Sequence, residues 1–250
     1  MDSFSDNQQP LEEGARRKRS LRQKELTALN AGYANLTAEQ RVDRALRDLP
    51  ATHALTSSFG AQAAVSLHLL TQALPNLPVI LLDTGYLFAE TYGFIEQLRE
   101  RLDMNLHISS ARMSAAMQEA IYGQRWNQGI SGLDAYNLDN KVEPLQRAFA
   151  ELDVSTWFSG LRRSQAASRR DTRFVDFIDG RYKVAAIADW SDKDVFEYLS
   201  KHDLPYHPLW HEGYVSIGDT HTTRSLHEVD SEEETRFFGL KRECGIHTSV

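Results

Sequence analysis

From residue 53 onward, short apolar runs and longer amphipathic runs take turns along the chain. "HALTSSF" (53–59), "PVILLD" (78–83), "NLHISSA" (105–111), "TWFSGL" (156–161) and "RYKVAAIADW" (181–190) read as buried strands. Between them, 61–74, 89–103 and 141–152 carry helical patterns, and Ser191 caps a further helix over 192–202. Strands separated by helices of this length need right-handed crossovers, so the sequence predicts an α/β fold with a mostly parallel sheet. Ahead of this region, residues 1–10 are polar and 11–30 form a charged stretch of helical propensity. Its Arg16-Arg17-Lys18-Arg19 run reads as a solvated helix face. Thr37 and Gln40 make a capping box for a helix with the stripe Val42, Ala45, Leu46, Leu49. After residue 204 the alternation stops, leaving loops and one short helix over 232–242. The expected division is an N-terminal extension (1–34), a nucleotide-binding α/β domain (35–204) and a C-terminal appendage (205–250).

Composition narrows the classes. With 41% apolar and 25% charged residues, the chain has globular composition, and it has no apolar run near the ~18 residues that span a bilayer. A net charge of −7 argues against nucleic acid as partner but leaves room for a local basic pocket. The first twenty residues place acids before the basic run and lack an apolar core, so neither a secretory nor a transit signal is expected, and cytoplasm is the expected location. A single cysteine excludes an intrachain disulfide and any Cys-rich zinc or iron–sulfur site within one chain.

Ligands of an open α/β sheet sit beyond the C-terminal strand ends. The first such loop, Thr56-Ser57-Ser58-Phe59-Gly60-Ala61-Gln62, combines hydroxyls, a glycine and a helix start, which suits either an anion or simple capping. The second, Asp83-Thr84-Gly85, offers a carboxylate to a ribose or adenine amine; the same tripeptide in an aspartic protease would need a second copy and an all-β fold. The third, "SGLRRSQAASRRDTR", starts with Ser159-Gly160 and carries Arg162, Arg163, Arg169, Arg170 and Arg173, whose forks match phosphate or sulfate oxygens. His202, His207, His211 and His221 have loop-like spacings and read as polar pocket walls, with no metal site. Cys244 stands beside Lys241, Arg242 and His247, cations that favour a thiolate, with Glu243 opposing. A nucleophile on a mobile tail can close over a substrate and swing out with an adduct. Release would take a thiol from another molecule.

Six segments, "SSFGAQAAVSLHLL", "LLDTGYLFAETY", "NKVEPLQRA", "TWFSGLRRSQAASR", "YHPLWHEGYVSIGDTHTTR" and "EEETRFFGLKRECGIH", together resemble the phosphoadenylyl-sulfate (PAPS) reductases, over residues 35–248. The resemblance implies an adenine-nucleotide α-hydrolase-like fold: a mostly parallel five- to six-stranded sheet flanked by helices, with a mobile C-terminal tail. It also implies a homodimer that reduces PAPS to sulfite and adenosine 3',5'-bisphosphate, with reduced thioredoxin or glutaredoxin as donor and no bound cofactor. By the same resemblance Cys244 is the nucleophile and becomes S-sulfonated; Lys141, Arg236 and His247 contact the phosphosulfate, with Arg242 beside them. Ser57, Ser58, Phe59, Gly60 and Gln62 form a modified phosphate loop, Asp83, Thr84 and Gly85 border the nucleoside, and Gly160, Arg162, Arg163 and Arg169 belong to the anion site. Iron–sulfur relatives acting on adenylyl sulfate (APS) carry cysteines where this chain has Tyr136-Asn137, Asp219 and Thr222, so no cluster is expected. Two alternatives stay open: a cluster-free APS reductase, and a nucleotide-binding module whose cysteine senses redox state.

Overall fold

The computed structural model describes the backbone of residues 9–241 and 245–246, and the side chains of these from Ser20 onward. Six strands, β1 (His53–Thr56), β2 (Pro78–Asp83), β3 (Asn105–Ser110), β4 (Thr156–Ser159), β5 (Val175–Ile178) and β6 (Arg181–Val184), form one sheet of order β3-β2-β1-β4-β6-β5. Every pairing is parallel except β5 with β6. The helices are α1 (Gln9–Tyr33), α2 (Ala38–Asp48), α3 (Ala64–Ala73), α4 (Ala89–Leu102), α5 (Ala115–Tyr122), α6 (Gly129–Asn137), α7 (Glu143–Glu151) and α8 (Asp192–Lys201).

Alternation along the strands divides two cores. Leu55, Val79, Leu81 and Phe158 face a large core built with Val42 and Ala45 of α2, Leu67 and Leu70 of α3, Phe94 of α4 and Leu199 of α8. Ala54, Ile80 and Trp157 face the other way, onto Leu145, Ala148 and Phe149 of α7. Full burial of side chains such as these stabilises the fold by about 1.5–3 kcal/mol each. The chain builds β1, β2 and β3 outward in one direction, then returns to lay β4 on the other side of β1. That reversal opens a crevice beyond Thr56 and Ser159, which are register partners.

Most expected elements are present, and the differences have local causes. β1 ends at Thr56, one residue before the last main-chain bond to β2, Ser57 N–H to Ile80 O, and the chain then turns; α3 starts at Ala64, three residues later than expected. β4 likewise ends at Ser159. β6 ends at Val184, and the apolar run Ala185–Ala188 is a buried turn. Its carbonyls are met elsewhere: Arg41 Nη1 donates to Ala186 O at 2.9 Å, and the Arg163 N–H donates to Ala188 O at 2.8 Å. The antiparallel edge strand β5 and helices α5 and α6 were not among the expected elements. α1 covers the β5 edge: Asn30 Nδ2 donates to Val175 O at 2.7 Å, and Asn30 Oδ1 accepts from the Val175 N–H at 3.1 Å. The short helix expected over 232–242 is instead two 3₁₀ turns, 232–235 and 237–239, with Phe237 and Phe238 at φ 49° and 58°.

α6 and α7 are joined by a π turn, Leu138–Val142, in which the Glu143 N–H reaches back five residues to Leu138 O. Pro144 follows at the start of α7, where a proline ring crowds the preceding turn and a wider coil relieves it. The extra residue lets two neighbours point inward. Asn140, fully buried, exchanges hydrogen bonds with Gln118 of α5 (2.8 and 2.9 Å), while Lys141 lines the crevice.

Candidate active site

The crevice at the switch point encloses about 250 Å³. Its lining holds Ser57, Ser58, Gly60 and Gln62 of the β1 loop, Ser159 and Gly160 after β4, and Lys141, Asp219 and Arg236. The β1 loop is held open by its own geometry. Phe59 has a positive φ of 50°, which sends its ring into the core, fully buried, and its N–H bonds Ser57 Oγ at 3.1 Å. The C-terminal segment is tied to this loop where the His207 N–H donates to Ala61 O at 3.0 Å. Gly160 is required for close packing: a Cβ there would lie 2.8 Å from Ser66 Oγ of α3.

Of the three arginines expected at the anion site, Arg162 and Arg163 are committed to the fold. Arg162 is buried; Nη2 bonds Gln62 Oε1 and, at 2.9 Å, Asp192 Oδ1, while Nη1 donates to Ser164 Oγ and Trp190 O. It lines the crevice and at the same time clamps the β1 loop to the start of α8. Arg163 donates to Thr172 O at 2.8 Å and lies 4.7 Å over the Phe174 ring, outside the crevice lining. Arg169 lines the crevice, with Nη1 on Gln165 Oε1 at 2.7 Å.

Also in the lining, Lys141 Nζ lies 2.6 Å from Asp219 Oδ2, and Thr84 Oγ1 donates to Asp219 Oδ1 at 2.5 Å. Burial by itself would raise the Asp219 carboxyl, but the Lys141 ammonium and the Thr84 hydroxyl bring it down to about 2. It is therefore an anion at neutral pH. Behind the pair stands an aromatic box: His221 stacks on Trp126 at 3.7 Å, with Tyr86 and Tyr136 edge-on to it. Burial lowers His221 to about 4, so this ring is neutral at pH 7 although Asp219 pulls the other way. Arg236 rests on the Gly218 backbone, where a Cβ would fall 2.3 Å from Nη2, and its guanidinium lies 5.0 Å from the Phe237 ring centre.

The structure thus brings together Ser57, Ser58, Gly60, Gln62, Thr84, Lys141, Gly160, Arg162, Arg169 and Arg236. Phe59, Asp83, Gly85 and Arg163 are outside the lining; Asp83 accepts from the Gly85 N–H and from the Tyr92 hydroxyl at 2.9 and 2.8 Å. Cys244, Arg242 and His247 lie outside the described residues. Ile246, two positions after Cys244, lines the crevice, and Gly245 packs near Val142 in the π turn beside Lys141. Sequence reasoning missed Ser66, Ser159, Gln165 and the Ser216–Asp219 segment as lining residues; Asp219 had entered only as a position that bears a cysteine in iron–sulfur relatives. The histidines do not share one wall. His207 is fully buried, its Nδ1 accepting from the Leu209 N–H and Nε2 facing Thr91 Oγ1; His211 is exposed; His202 packs on Tyr198. Among the described residues no group of three or more His, Cys, Asp or Glu could hold a metal ion, and no helix is long and apolar enough to cross a membrane.

A switch-point crevice of this kind, lined by cations at the strand ends of a mostly parallel sheet, defines a protein of the adenine-nucleotide α-hydrolase-like fold. The fold recurs in Candida glabrata FMN adenylyltransferase solved with FAD and inorganic pyrophosphate, which superposes with a TM-score of 0.54 at 16% identity, over 83% of this chain and 74% of that one. The chain belongs to the phosphoadenosine phosphosulfate reductase domain family, whose model matches residues 52–225. It is 55% identical over 232 residues to the Shewanella oneidensis protein named phosphoadenosine 5'-phosphosulfate reductase, covering 93% of this chain and 95% of that one. It is 57% identical to the Xanthomonas euvesicatoria protein of the same name, covering 90% and 94%. A phosphoadenylyl-sulfate reductase crystal structure from Candida auris, a phosphate complex, superposes with a TM-score of 0.71 at 28% identity, over 81% of this chain and 97% of that one.

Proposed function

We propose that this chain reduces PAPS to sulfite and adenosine 3',5'-bisphosphate in assimilatory sulfate reduction, through Cys244 and a dithiol donor, thioredoxin or glutaredoxin. The observation that carries this reading is the position of Ile246, next in sequence but one to the chain's single cysteine, in the lining of a crevice that also holds the hydroxyl-rich β1 loop and Lys141, Arg162, Arg169 and Arg236. Relatives of the same name at 55–57% identity over nine-tenths of the chain support the same reading. The Cys244 thiolate attacks the sulfuryl sulfur, and the bond from that sulfur to the bridging phosphate oxygen breaks. Adenosine 3',5'-bisphosphate leaves with the electron pair, and Cys244 holds an S-sulfonate. A donor thiolate then attacks Cys244 Sγ and expels sulfite; the donor's second thiol resolves the mixed disulfide, so the donor dithiol is oxidised by two electrons and Cys244 returns as a thiol.

The protein's task is electrostatic. A thiolate approaching a sulfuryl group meets like charge, and Lys141, Arg169, Arg236 and, from the tail, His247 and Arg242 neutralise it. The leaving nucleotide is stable as an anion, so no strong general acid is needed. On this reading residues 35–204 bind the nucleotide, residues 205–250 cover it, and the protein works as a cytoplasmic homodimer. The positions that bear cluster ligands in APS-using relatives hold Tyr136, Asn137, Asp219 and Thr222, all buried, and with one cysteine per chain this supports a reductase without a cluster. Incubation with PAPS and no reductant should add one SO₃ to Cys244 by peptide mass analysis, discharged as sulfite by reduced thioredoxin. Cys244→Ser should keep nucleotide binding and lose sulfite formation; turnover by that variant at the wild-type rate overturns the assignment, and an equal rate with APS in competition overturns the choice of nucleotide.

A further inference from the structure

A carboxylate in the wall of a pocket for an anion needs a reason. Asp219 is 1% exposed, ionised, and bonded to Lys141 and Thr84, while its backbone is fixed by a bridge to Leu87 and by the Thr220 N–H on Tyr86 O at 2.8 Å. Stability alone does not supply the reason, because a buried ion pair rarely outweighs the desolvation of its two charges. Repulsion of the ligand would be a net cost unless the carboxylate does something for the lysine. Lys141 sits at the π turn, with Nζ 5.5 Å from the Tyr136 ring centre and 5.3 Å from that of Phe237. An ammonium on four methylenes is otherwise a loose group. The ion pair with the carboxylate, at 2.6 Å, fixes where that ammonium stands.

We propose that Asp219 is a positioning residue: anchored by Thr84, it aims Lys141 Nζ from the crevice wall at the anionic group being transferred. This rests on the reductase reading above. It carries a kinetic consequence that a merely structural role lacks. Asp219 competes with the substrate for Lys141 in the ground state, so it weakens binding while it improves aim, and the two effects separate in kcat and KM.

The test is steady-state sulfite formation from PAPS with reduced thioredoxin, comparing the wild type with Asp219→Asn, which keeps an acceptor for Thr84 but removes the charge, with folding checked by far-UV circular dichroism. The expected result is a kcat lower by about 10–100-fold, the scale of a misplaced group, with KM unchanged or lower. A folded D219N with wild-type kcat overturns the proposal, and so does a raised KM with kcat retained. If D219N does not fold, Asp219→Glu, which keeps the charge and shifts the carboxylate by one methylene, takes its place under the same two criteria; failure of both to fold overturns positioning in favour of a structural role. A wild-type protein that makes no sulfite would refute the reductase reading, whereas sulfite from the wild type with D219N equal to it refutes this inference alone.

Discussion

Gly218→Ala tests whether the placement of Arg236 matters. Gly218 has no positive φ, so its backbone accepts alanine, and such a change by itself would stabilise the chain by about 0.4–1 kcal/mol through the unfolded state. The new methyl carbon, however, would lie 2.3 Å from Arg236 Nη2, 2.7 Å from Cζ and 2.8 Å from Nη1, where ordinary contact begins at 3.4 Å. The obstacle is the end of a flexible side chain, so the guanidinium yields and the backbone does not: Arg236 is paired through Thr223, and Phe237 beside it is buried. Retreat by about 1 Å moves the charged fork off its place in the wall, and such a shift can cost on the order of 100-fold in rate. A charged hydrogen bond is worth about 1.5–3 kcal/mol, which corresponds to roughly 10–100-fold in kcat/KM when it is lost.

The expectation is a thermal midpoint close to that of the wild type, within what ~1 kcal/mol allows, together with kcat/KM for sulfite formation reduced by ~10–100-fold. Gly93→Ala is the matched control, because a Cβ there meets nothing within 4 Å and the residue lies on α4 away from the crevice; it should leave kcat/KM unchanged. If G218A keeps wild-type kcat/KM, the placement of Arg236 against Gly218 is not part of the site. If instead the variant unfolds, the premise that only a side chain must yield is wrong.

Two further predictions concern the frame around the site. Arg41→Met should destabilise the protein by about 1–3 kcal/mol in urea unfolding, because it leaves the buried Ala186 carbonyl and the Tyr33 carbonyl without their donor, while the exposed Asp189 turns to water; a loss below ~0.5 kcal/mol would show these bonds to be dispensable. Stability should also fall as pH drops from 6.5 toward 4, because burial lowers His207 to about 4 and the unfolded chain takes up that proton first; a folded pKa below the unfolded one gives stability that is complete above 6.5. By pH 5 the loss from His207 should be on the order of 2 kcal/mol, and a His207→Gln variant whose stability falls as steeply over that range would contradict it.

The alternation of apolar runs made the central sheet legible, because strands buried on both faces leave continuous apolar segments and helices of ten or more residues leave a stripe. β5 escaped because "FVDFI" is an edge whose main-chain partners are β6 and the Asn30 amide, a contact made across 145 residues that no local pattern encodes. The run after Val184 misled for the opposite reason. "AAIA" is as apolar as a strand, yet it turns: the Ala185 and Ile187 carbonyls accept from the Ala188 and Trp190 N–H, and those of Ala186 and Ala188 from Arg41 and the Arg163 N–H. The short helix over 232–242 failed because two consecutive phenylalanines take positive φ, which places Phe237 under the Lys141 wall.

Charges were the least legible feature, and the reason bears on the chemistry. Sequence shows that a loop is rich in arginine, but it does not show which guanidinium forks are already occupied. Arg163 turns away to the Thr172 carbonyl and the Phe174 ring, whereas Arg162, tied to Asp192 and the Trp190 carbonyl, still lines the crevice with Lys141, Arg169 and Arg236. An acidic chain can bind an anion only if the cations in its pocket exceed the anions there, and Asp219 subtracts one from that local sum. Its carboxylate is tolerable because Lys141 neutralises it at 2.6 Å. The buried acid therefore acts on the direction of a charge more than on its amount, and a sequence lists amounts.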